Sequence, residues 1–232
     1  MLPSLDKRLR TAAEMVRQGA VVADIGTDHA YLPCYLTGSG ISPYAYACDI
    51  NSAPLARAKE TVERYGLTDK VNLCLSNGLE ALPEHCAQDI IICGMGGELI
   101  ADIINKAAWL KDAGVHLILQ PMTRPEHLRH FLFTNGFDMI REQGIHIGRH
   151  YYTVMLASYT GVCLEPDLLL QSIGRLKGNT DEDSAAYIRH YLEVLNRTIQ
   201  GLEQGKAEEN GPELQRLRLL AEQIQDSLTI QR

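Results

Sequence analysis

The sequence contains no long uninterrupted hydrophobic run, although 45% of its 232 residues are hydrophobic. A membrane-spanning helix needs about 18 consecutive apolar residues, and no window of the sequence approaches that length. The N-terminal residues also lack the apolar stretch that follows the charges of a secretion signal. We therefore predict a soluble cytoplasmic protein with a sizeable core, and we expect no membrane partner.

Cysteine pairs with metal-binding spacing are missing as well. None of the six cysteines belongs to a Cys-x-x-Cys pair, and several lie in apolar runs, where a reduced thiol packs as a small hydrophobic group. We therefore expect free thiols and no metal site. An excess of positive charge is also absent, because the net charge is −7. This argues against a protein that coats nucleic acid with lysine, but it leaves room for a local basic patch.

The glycine pattern of a dinucleotide site is incomplete at the most informative segment of the chain. Strand-like residues Val21–Ile25 stop at Gly26, and a strand that re-forms as a helix after such a turn places a cofactor at the carboxyl edge of a sheet. Asp28 and Ala30 stand where further glycines would be expected. An acid would repel a pyrophosphate, which argues against NAD. It suits S-adenosylmethionine, whose sulfonium and ammonium groups Asp24 or Asp28 could face.

Two other predicted strands end in side chains that suit a nucleoside. Asp49 ends an apolar run 23 residues after Gly26, where a carboxylate can accept hydrogen bonds from two ribose hydroxyls. Its alternative role is a helix cap. Asn77, with Gly78, follows the next strand and could reach the edge of an adenine. An ordinary Asn-Gly turn is an equally good interpretation.

The fourth predicted strand ends in a glycine-rich turn, Gly94-Met95-Gly96-Gly97. Three glycines in four positions expose backbone groups and leave room for a planar ligand beside a reactive methyl group. The alternative is a flexible loop. Gln120-Pro121 closes the fifth strand and is expected at the same edge of the sheet, followed by Arg124.

Apolar spacing predicts alternating strands and helices, which indicates a parallel sheet with helices on both faces. Residues 137–158 differ, because two strand-like runs flank a polar turn and indicate a terminal antiparallel pair. A mostly parallel, seven-stranded sheet closed in this way is the Rossmann-like layout of class I methyltransferases. The predicted elements before that pair are a helix at 5–16, strand Val21–Ile25, a helix at 30–39, strand Tyr44–Asp49, helix Ser52–Tyr65, strand Val71–Leu75, a short helix near 79–82, strand Asp89–Cys93, helix Glu98–Lys106, strand His116–Gln120 and helix Pro125–Asn135.

The C-terminal part has a different pattern. Leucine and isoleucine recur three and four residues apart in 188–202 and again in 214–228, with a break at 205–212. This predicts two antiparallel helices that form a coiled-coil hairpin, and residues 167–176 are expected to add a third helix. We predict two domains, a cofactor-binding domain at 1–160 and a helical domain at 161–232.

Several of these strings together resemble one family, the bacterial tRNA (adenine-22-N1)-methyltransferases, usually called TrmK. The similarity covers residues 1 to about 160 in order, and the helical hairpin after them matches the family's layout. The strings that carry it are Lys7-Arg8-Leu9, residues 23–33, Cys48-Asp49-Ile50-Asn51, Gly94-Met95-Gly96-Gly97 and Gln120-Pro121. Many nitrogen methyltransferases carry an Asn/Asp-Pro-Pro-aromatic string after the fourth strand. Here that string is absent, so an aromatic platform for the target base must come from elsewhere.

The resemblance implies an S-adenosyl-L-methionine-dependent enzyme that methylates N1 of adenine 22 in tRNA, with tRNA as its partner. It places the site residues as follows. The residues expected to bind the cofactor are Asp24, Gly26, Thr27, Asp28, Asp49, Ile50, Asn77, Gly78 and Gly94. Those expected to act in catalysis are Asp28, His29, Gly94 and Met95, and those expected to bind substrate are Lys7, Arg8, Gly96, Gly97, Gln120, Pro121 and Arg124.

Adenine N1 has its own in-plane lone pair, so catalysis is expected to consist mainly of alignment. The methylated base is cationic, and Asp28 is our candidate for stabilising that charge. His29 either contacts substrate or stabilises its turn. Lys7, Arg8, Arg10 and Arg17 form an N-terminal basic cluster, and four arginines of the C-terminal hairpin offer further phosphate contacts.

Two other functions agree with the same residues. A methyltransferase for a small molecule or a protein would keep every cofactor argument and lose only the tRNA. A non-enzymatic scaffold would use the helical hairpin to dock another protein. We expect the protein to be a monomer.

Overall fold

The computed structural model describes residues 2–204 and 211–229. Within these ranges a seven-stranded sheet is flanked by helices, and a further group of helices follows it. The strands are β1 Val22–Ile25, β2 Ala45–Asp49, β3 Val71–Leu75, β4 Asp89–Gly96, β5 His116–Thr123, β6 Phe137–Ile147 and β7 His150–Tyr159. The helices are α1 Lys7–Ala13, α2 Tyr31–Gly38, α3 Ser52–Arg64, α4 Gly97–Lys106, α5 Pro125–Thr134, α6 Leu168–Ile173, α7 Glu182–Glu203 and α8 Gly211–Thr229.

The strand order is β3-β2-β1-β4-β5-β7-β6. Strands β1 to β5 are parallel, whereas β7 runs antiparallel to both β5 and β6. The carboxyl ends of five strands therefore meet at one edge of the sheet. The order reverses at β1, where strands are added first on one side and then on the other, and ligands bind at such a point in open α/β sheets. This architecture confirms the predicted class I methyltransferase fold.

Most predicted elements agree with the structure within one or two residues. Strand β5 continues to Thr123, three residues beyond its predicted end at Gln120, and the following elements differ as well. Helix α1 is shorter than the predicted 5–16, and its N-cap is Asp6, whose carboxylate accepts a hydrogen bond from the Leu9 N–H. Strand β4 continues to Gly96 through two irregularities in its pairing with β5. The short helix near 79–82 was wrong, because that segment consists of turns. There the Ser76 hydroxyl donates to the Gly78 carbonyl and accepts from the Ala81 N–H.

The sheet is buried on both faces, which explains why its central strands are almost wholly apolar. Ile90 and Ile92 of β4 point to one face, with α4 and α5, while Ile91 points to the other, with α1 and α2. A third cluster of buried residues lies among α6, α7 and α8. Tyr151 of β7 also packs against this cluster. The predicted break between the two hairpin helices, at 205–212, lies largely outside the described residues.

A fully buried ion pair joins the sheet to these C-terminal helices. Arg129 of α5 donates to the Glu142 carboxylate of β6 at 2.7 and 3.0 Å, and both side chains are inaccessible to solvent. Arg129 also donates to the Ser172 carbonyl of α6 at 2.6 Å, and the Tyr187 hydroxyl of α7 lies 3.4 Å away. Burial lowers the pKa of Arg129, but the adjacent carboxylate of Glu142 outweighs this and raises it above its ordinary value. Arg129 therefore stays charged, and its contacts hold four elements together.

Two glycines let the C-terminal segment approach this ion pair and the edge strand. At Gly174, where φ is +57°, a methyl group would collide with the Glu142 carboxylate and would lie 2.6 Å from Arg129 Nε. At Gly144 of β6, a methyl group would lie 2.6 Å from the Ser184 Cα of α7. The Gly144 N–H donates to the Ser184 hydroxyl at 3.0 Å. Helix α7 thus covers the edge of the sheet, which would otherwise present unpaired backbone groups.

Candidate cofactor and substrate site

The candidate site lies at the carboxyl edge of the sheet, where the loops after five parallel strands meet. The sheet order places the turn after β1 at the centre of this edge. The ends of β2 and β3 lie on one side of it, and the ends of β4 and β5 lie on the other. The predicted cofactor residues of 24–28, 49–50, 77–78 and 94 therefore share one edge, as the sequence pattern predicts.

The turn after β1 is held by the neighbouring strand. The N–H groups of Gly26 and Thr27 both donate to the Cys48 carbonyl of β2, at 2.8 and 2.9 Å. Gly26 has a φ of +81°, and Asp28 and Ala30 also adopt left-handed conformations, at +48° and +53°. A methyl group on Gly26 would collide with the terminal methyl of Met95, so the turn has no room for a side chain at this position.

A cavity of about 270 Å³ opens beside this turn. It joins seven of the residues predicted from sequence to four that were not predicted. The predicted ones are Arg8, Asp24, Gly26, Thr27, Asp28, His29 and Gly94, and the others are Leu9, Tyr31, Leu32 and Cys93. Cys93 occupies the end of an apolar strand, and burial raises the pKa of its thiol, so it is not poised to act as a thiolate.

Asp24 is a buried carboxyl group in the cavity wall, with only 6% of the residue exposed. Burial raises its pKa from 3.8 to about 6, and the negative charge of Asp49 adds to the rise. The Thr27 hydroxyl opposes this rise through its proximity, but it makes no hydrogen bond of ordinary geometry with any described residue. A buried acid and a buried hydroxyl without a partner, side by side, fit a polar and positively charged ligand group.

Asp28 and His29 form the outer rim of the cavity. The Asp28 carboxylate lies 2.5 Å from the Arg57 guanidinium of α3 and 3.5 Å from the His29 imidazole, and its side chain is 57% exposed. The His29 ring stacks on the Tyr31 ring, with centroids 5.2 Å apart and planes inclined by 11°. Sequence reasoning missed Arg57, which neutralises part of the Asp28 charge, and it missed the stacked pair as an aromatic platform. The only signal for the platform was Tyr31, two residues after His29.

The end of β4 is fixed by a buried amide. The Gln120 side-chain oxygen accepts from the Gly94 N–H at 3.1 Å and from the Arg8 guanidinium at 3.0 Å. Its NH₂ group donates to the Pro121 carbonyl at 2.9 Å, and the residue is fully buried. These contacts fix the Gln120 amide orientation and hold the Gly94 backbone. The sequence predicts Gln120 and Pro121 as substrate ligands. In the structure Gln120 binds the backbone of Gly94, and Pro121 holds the Gln120 amide in place.

The remaining residues of the glycine loop pack against the start of α5. A methyl group on Gly97 would collide with the Arg124 carbonyl, and one on Gly96 would lie 3.2 Å from the Thr123 hydroxyl. The Arg124 guanidinium lies 3.2 Å from the Glu98 carboxylate and 3.4 Å from that of Glu126, and its side chain is 60% exposed. Close backbone packing therefore explains Gly97, whereas Gly96 meets only the side chain of Thr123.

A second cavity, of about 290 Å³, lies beside the end of β3. Asn77 and Gly78 line it together with apolar side chains that include Leu99 and Ile103 of α4 and Trp109. The Asn77 amide donates to the Glu80 carboxylate at 2.9 Å. Asp49 and the exposed Ile50 lie at the end of β2, between β1 and β3. Asn77 and Gly78 thus bring the second cavity to the end of β3, and the cavity continues from there along α4 to Trp109.

The predicted N-terminal basic cluster is divided between two ends of the molecule. Lys7 forms an ion pair with Asp183 of α7, and Arg8 lies at the cavity. Arg17 lies beyond α1 and binds the buried Asp89 at the start of β4, at 2.6 Å. Arg17 is therefore at the opposite edge of the sheet, because the chain crosses the sheet between Arg8 and Arg17.

The described residues contain no group of three or more histidine, cysteine, aspartate or glutamate side chains that could hold a metal ion. Among the described helices, none combines the length and apolarity required to cross a membrane.

Comparisons with known proteins agree with this geometry. A family model described as a methyltransferase domain matches residues 5–155. The tRNA (adenine(22)-N(1))-methyltransferase of Bacillus subtilis (strain 168) is 34% identical over 224 residues, which are 95% of this chain and 94% of that protein. A Streptococcus pneumoniae structure in complex with S-adenosyl-L-methionine has a TM-score of 0.81 and 30% identity, and the match covers 97% of this chain and 100% of that one.

The structure of M. capricolum TrmK in complex with S-adenosyl-homocysteine has a TM-score of 0.79 and 27% identity, with 98% of this chain and 99% of that chain covered. Both the cofactor-binding fold and the C-terminal helices are therefore shared along almost the whole length. The chain belongs to the tRNA (adenine(22)-N1)-methyltransferase family.

Proposed function

We propose that this protein transfers a methyl group from S-adenosyl-L-methionine to N1 of adenine 22 in tRNA, forming 1-methyladenosine. The observation that carries the proposal is a near full-length relationship to an enzyme of that name, combined with a cavity that joins Asp24 and Thr27 to the Gly94 loop. A protein related only by its fold would share the sheet but would have no reason to keep this arrangement.

The residues at the edge of the sheet fit the proposed cofactor from end to end. Asp24 would face the ammonium group of the cofactor. The Thr27 hydroxyl would form a hydrogen bond with the polar amino-acid end of the cofactor. Asp49 would accept from the ribose hydroxyls, and Asn77 would contact the adenine between the apolar side chains of the second cavity. When bound, S-adenosylmethionine supplies a methyl group activated by the adjacent sulfonium charge.

The chain's own residues position the target base. The His29 and Tyr31 rings provide an aromatic surface at the mouth of the cavity, and the carbonyls of Gly94 or Met95 would accept from the exocyclic amine. Gln120 keeps the Gly94 backbone in place while Arg8 holds Gln120. Alignment of this kind contributes up to about 7–11 kcal/mol in well-oriented reactions, and no nucleophile from the enzyme is required. Extruding the base from folded RNA costs a few kcal/mol, which contacts elsewhere on the tRNA must offset.

Asp28 is the proposed electrostatic partner of the cationic product. Its carboxylate is at the rim of the cavity, and the ion pair with Arg57 orients it while it shares its charge. A carboxylate in place before reaction stabilises the charge that develops on the base without needing to reorganise. One of the two protons on the exocyclic nitrogen can leave to water after transfer, so a general base is optional.

The proposal extends to the domains, the cellular location and the oligomeric state of the protein. We assign residues 1–160 to the cofactor-binding domain and residues 161–232 to a helical, coiled-coil domain that contacts tRNA. We propose that the protein acts in the cytoplasm as a monomer. Several arginines of the helical domain already pair with neighbours, such as Arg218 with Glu203 at 2.6 Å. We therefore expect its contribution to RNA binding to come from a few unpaired side chains.

The proposal is tested by incubating the protein with labelled S-adenosyl-L-methionine and bulk tRNA, followed by nucleoside analysis. We expect label in 1-methyladenosine, and none when adenine 22 is replaced by another base. Label in a small molecule or protein, with none in tRNA, would favour the first rival function. Failure to bind S-adenosyl-L-methionine in calorimetry would favour the scaffold.

A further inference from the structure

The β6–β7 hairpin ends at the same edge of the sheet as the candidate site. Because β7 is antiparallel to β5, the pairing from His116 with Ser158 to Leu119 with Met155 leads from the amino end of β5 toward its carboxyl end and toward the start of β7. The hairpin tip, which we define as residues 146–152, therefore stands next to the end of β5. The sequence pattern predicts this turn only as a connection between two strands.

One face of the hairpin tip anchors it to the C-terminal helices. The Tyr151 ring is stacked between two imidazoles, with centroid distances of 4.5 Å to His146 and 4.2 Å to His190 of α7. The planes of these pairs are inclined by 3° and 11°. Both faces of Tyr151 are thus covered within the protein. This stack holds the hairpin tip in a defined position.

The opposite face of the tip connects to the cavity. His150 stacks on Tyr152 at 6.0 Å, and the Arg8 guanidinium lies over the Tyr152 ring, 5.3 Å from its centroid. Arg8 lines the cavity and binds Gln120, as described above. A row of contacting side chains therefore runs from the exposed His150 through Tyr152 and Arg8 to Gln120, which holds the glycine loop.

Arg149 is exposed in the turn at the tip, and it makes no ion pair with any residue in the described ranges. The nearby cations differ, because Lys7 pairs with Asp183 and Arg8 pairs with Asp6 at 2.7 Å. Asp183 and Asp6 are thus already paired with other cations. An unpaired guanidinium on a fixed turn, beside stacked rings, has the chemistry that recognises a phosphate next to an unstacked base.

We propose that the hairpin tip binds the tRNA strand beside the target adenine, with Arg149 on a phosphate and the His150–Tyr152 row facing the adjoining nucleotide. This inference rests on the proposed function, since it names the partner of the same site. The tip places a backbone contact within reach of the cavity mouth, where it offsets part of the cost of extruding the base.

The test compares Arg149→Ala with Arg64→Ala, a matched control. Arg64 is also an exposed arginine without an ion pair among the described residues, but it ends α3 at the opposite edge of the sheet. For Arg149→Ala we expect the tRNA dissociation constant to rise roughly three- to tenfold at about 0.1 M salt, and the slope of its logarithm against log salt to fall by about 1. The KM for tRNA should rise in parallel, with kcat and S-adenosyl-L-methionine affinity unchanged.

Arg64→Ala should behave like the parent protein, and Arg149→Lys should keep most of the affinity because it keeps the charge. If Arg149→Ala and Arg64→Ala bind tRNA with the same affinity and salt slope while the parent protein methylates tRNA, the hairpin-tip proposal is wrong and the proposed function stands. If the parent protein neither binds nor methylates tRNA, both proposals are wrong. Melting temperatures of the variants verify that each is folded.

Discussion

Asp24 is the residue at which cofactor binding and stability should oppose each other. Its carboxyl group is buried in the cavity wall, and its pKa is raised from 3.8 to about 6, mainly by burial. At neutral pH the group is ionised in an environment that disfavours the charge. The uncomplexed protein therefore carries a cost that a cationic ligand would relieve, and Asp24→Asn removes that cost.

The magnitude follows from the pKa difference between the folded and unfolded chains. A tenfold change in proton affinity corresponds to about 1.4 kcal/mol, so a rise from 3.8 to about 6 costs roughly 3 kcal/mol at neutral pH. Asparagine is itself polar and buried, which reduces the gain. We expect Asp24→Asn to increase the free energy of unfolding by about 1–3 kcal/mol at pH 7.5.

The pH dependence has a definite sign. Between pH 3.8 and about 6 the folded protein binds more protons at Asp24 than the unfolded chain does, so this residue's cost is fully present above pH 6 and disappears as the pH falls toward 3.8. The advantage of Asp24→Asn should therefore shrink over that interval. Urea unfolding without cofactor, at pH values from about 4 to 7.5, measures this difference directly.

Asp28→Asn is the matched control, because Asp28 lies in the same turn but is exposed and paired with Arg57. It should show no comparable gain in stability. Calorimetry should find that Asp24→Asn weakens S-adenosyl-L-methionine binding by at least about tenfold, or about 1.4 kcal/mol. The reasoning is refuted if Asp24→Asn is no more stable at pH 7.5, or if its advantage is the same at pH 4 and pH 7.5.

Three further substitutions test other parts of the account. Arg129→Met leaves Glu142 buried without its partner and should lower the free energy of unfolding by about 3–5 kcal/mol in urea; a loss below about 1 kcal/mol would show that the pair does not hold the two parts together. Gln120→Leu keeps the core filled but removes the acceptor of the Gly94 N–H, so kcat should fall by about tenfold or more while cofactor affinity changes less; equal losses in both would contradict a positioning role. Asp28→Asn should lower kcat by about tenfold with little change in cofactor affinity, and an unchanged kcat would remove Asp28 from the mechanism.

Local chemistry explains why the sheet could be predicted from the sequence. Short apolar runs that end in a glycine or an acid and alternate with helical segments predict a parallel sheet. A polar turn between two strand-like runs predicts its antiparallel end. The positions of Asp24, Gly26 and Gly94 at one edge then follow from the parallel arrangement. These residues line the cavity because the course of the backbone places them at that edge.

The contacts that distinguish one polar residue from another could not be predicted in this way. Gln120 ends a strand like a ligand-binding residue, and only packing shows that its amide is already occupied by the backbone and by Arg8. Arg57 neutralises Asp28 from a helix 29 residues away in sequence. Arg17 lies close to Arg8 in sequence and yet binds at the other edge. Each depends on long-range geometry that a local pattern does not contain.

The most direct test of the central claim is nucleoside analysis of one purified tRNA before and after reaction with this protein and S-adenosyl-L-methionine. We predict one 1-methyladenosine per tRNA at position 22, and none in the same tRNA with guanine at that position. Methylation of both RNAs, or of neither while the protein binds the cofactor, would contradict the account.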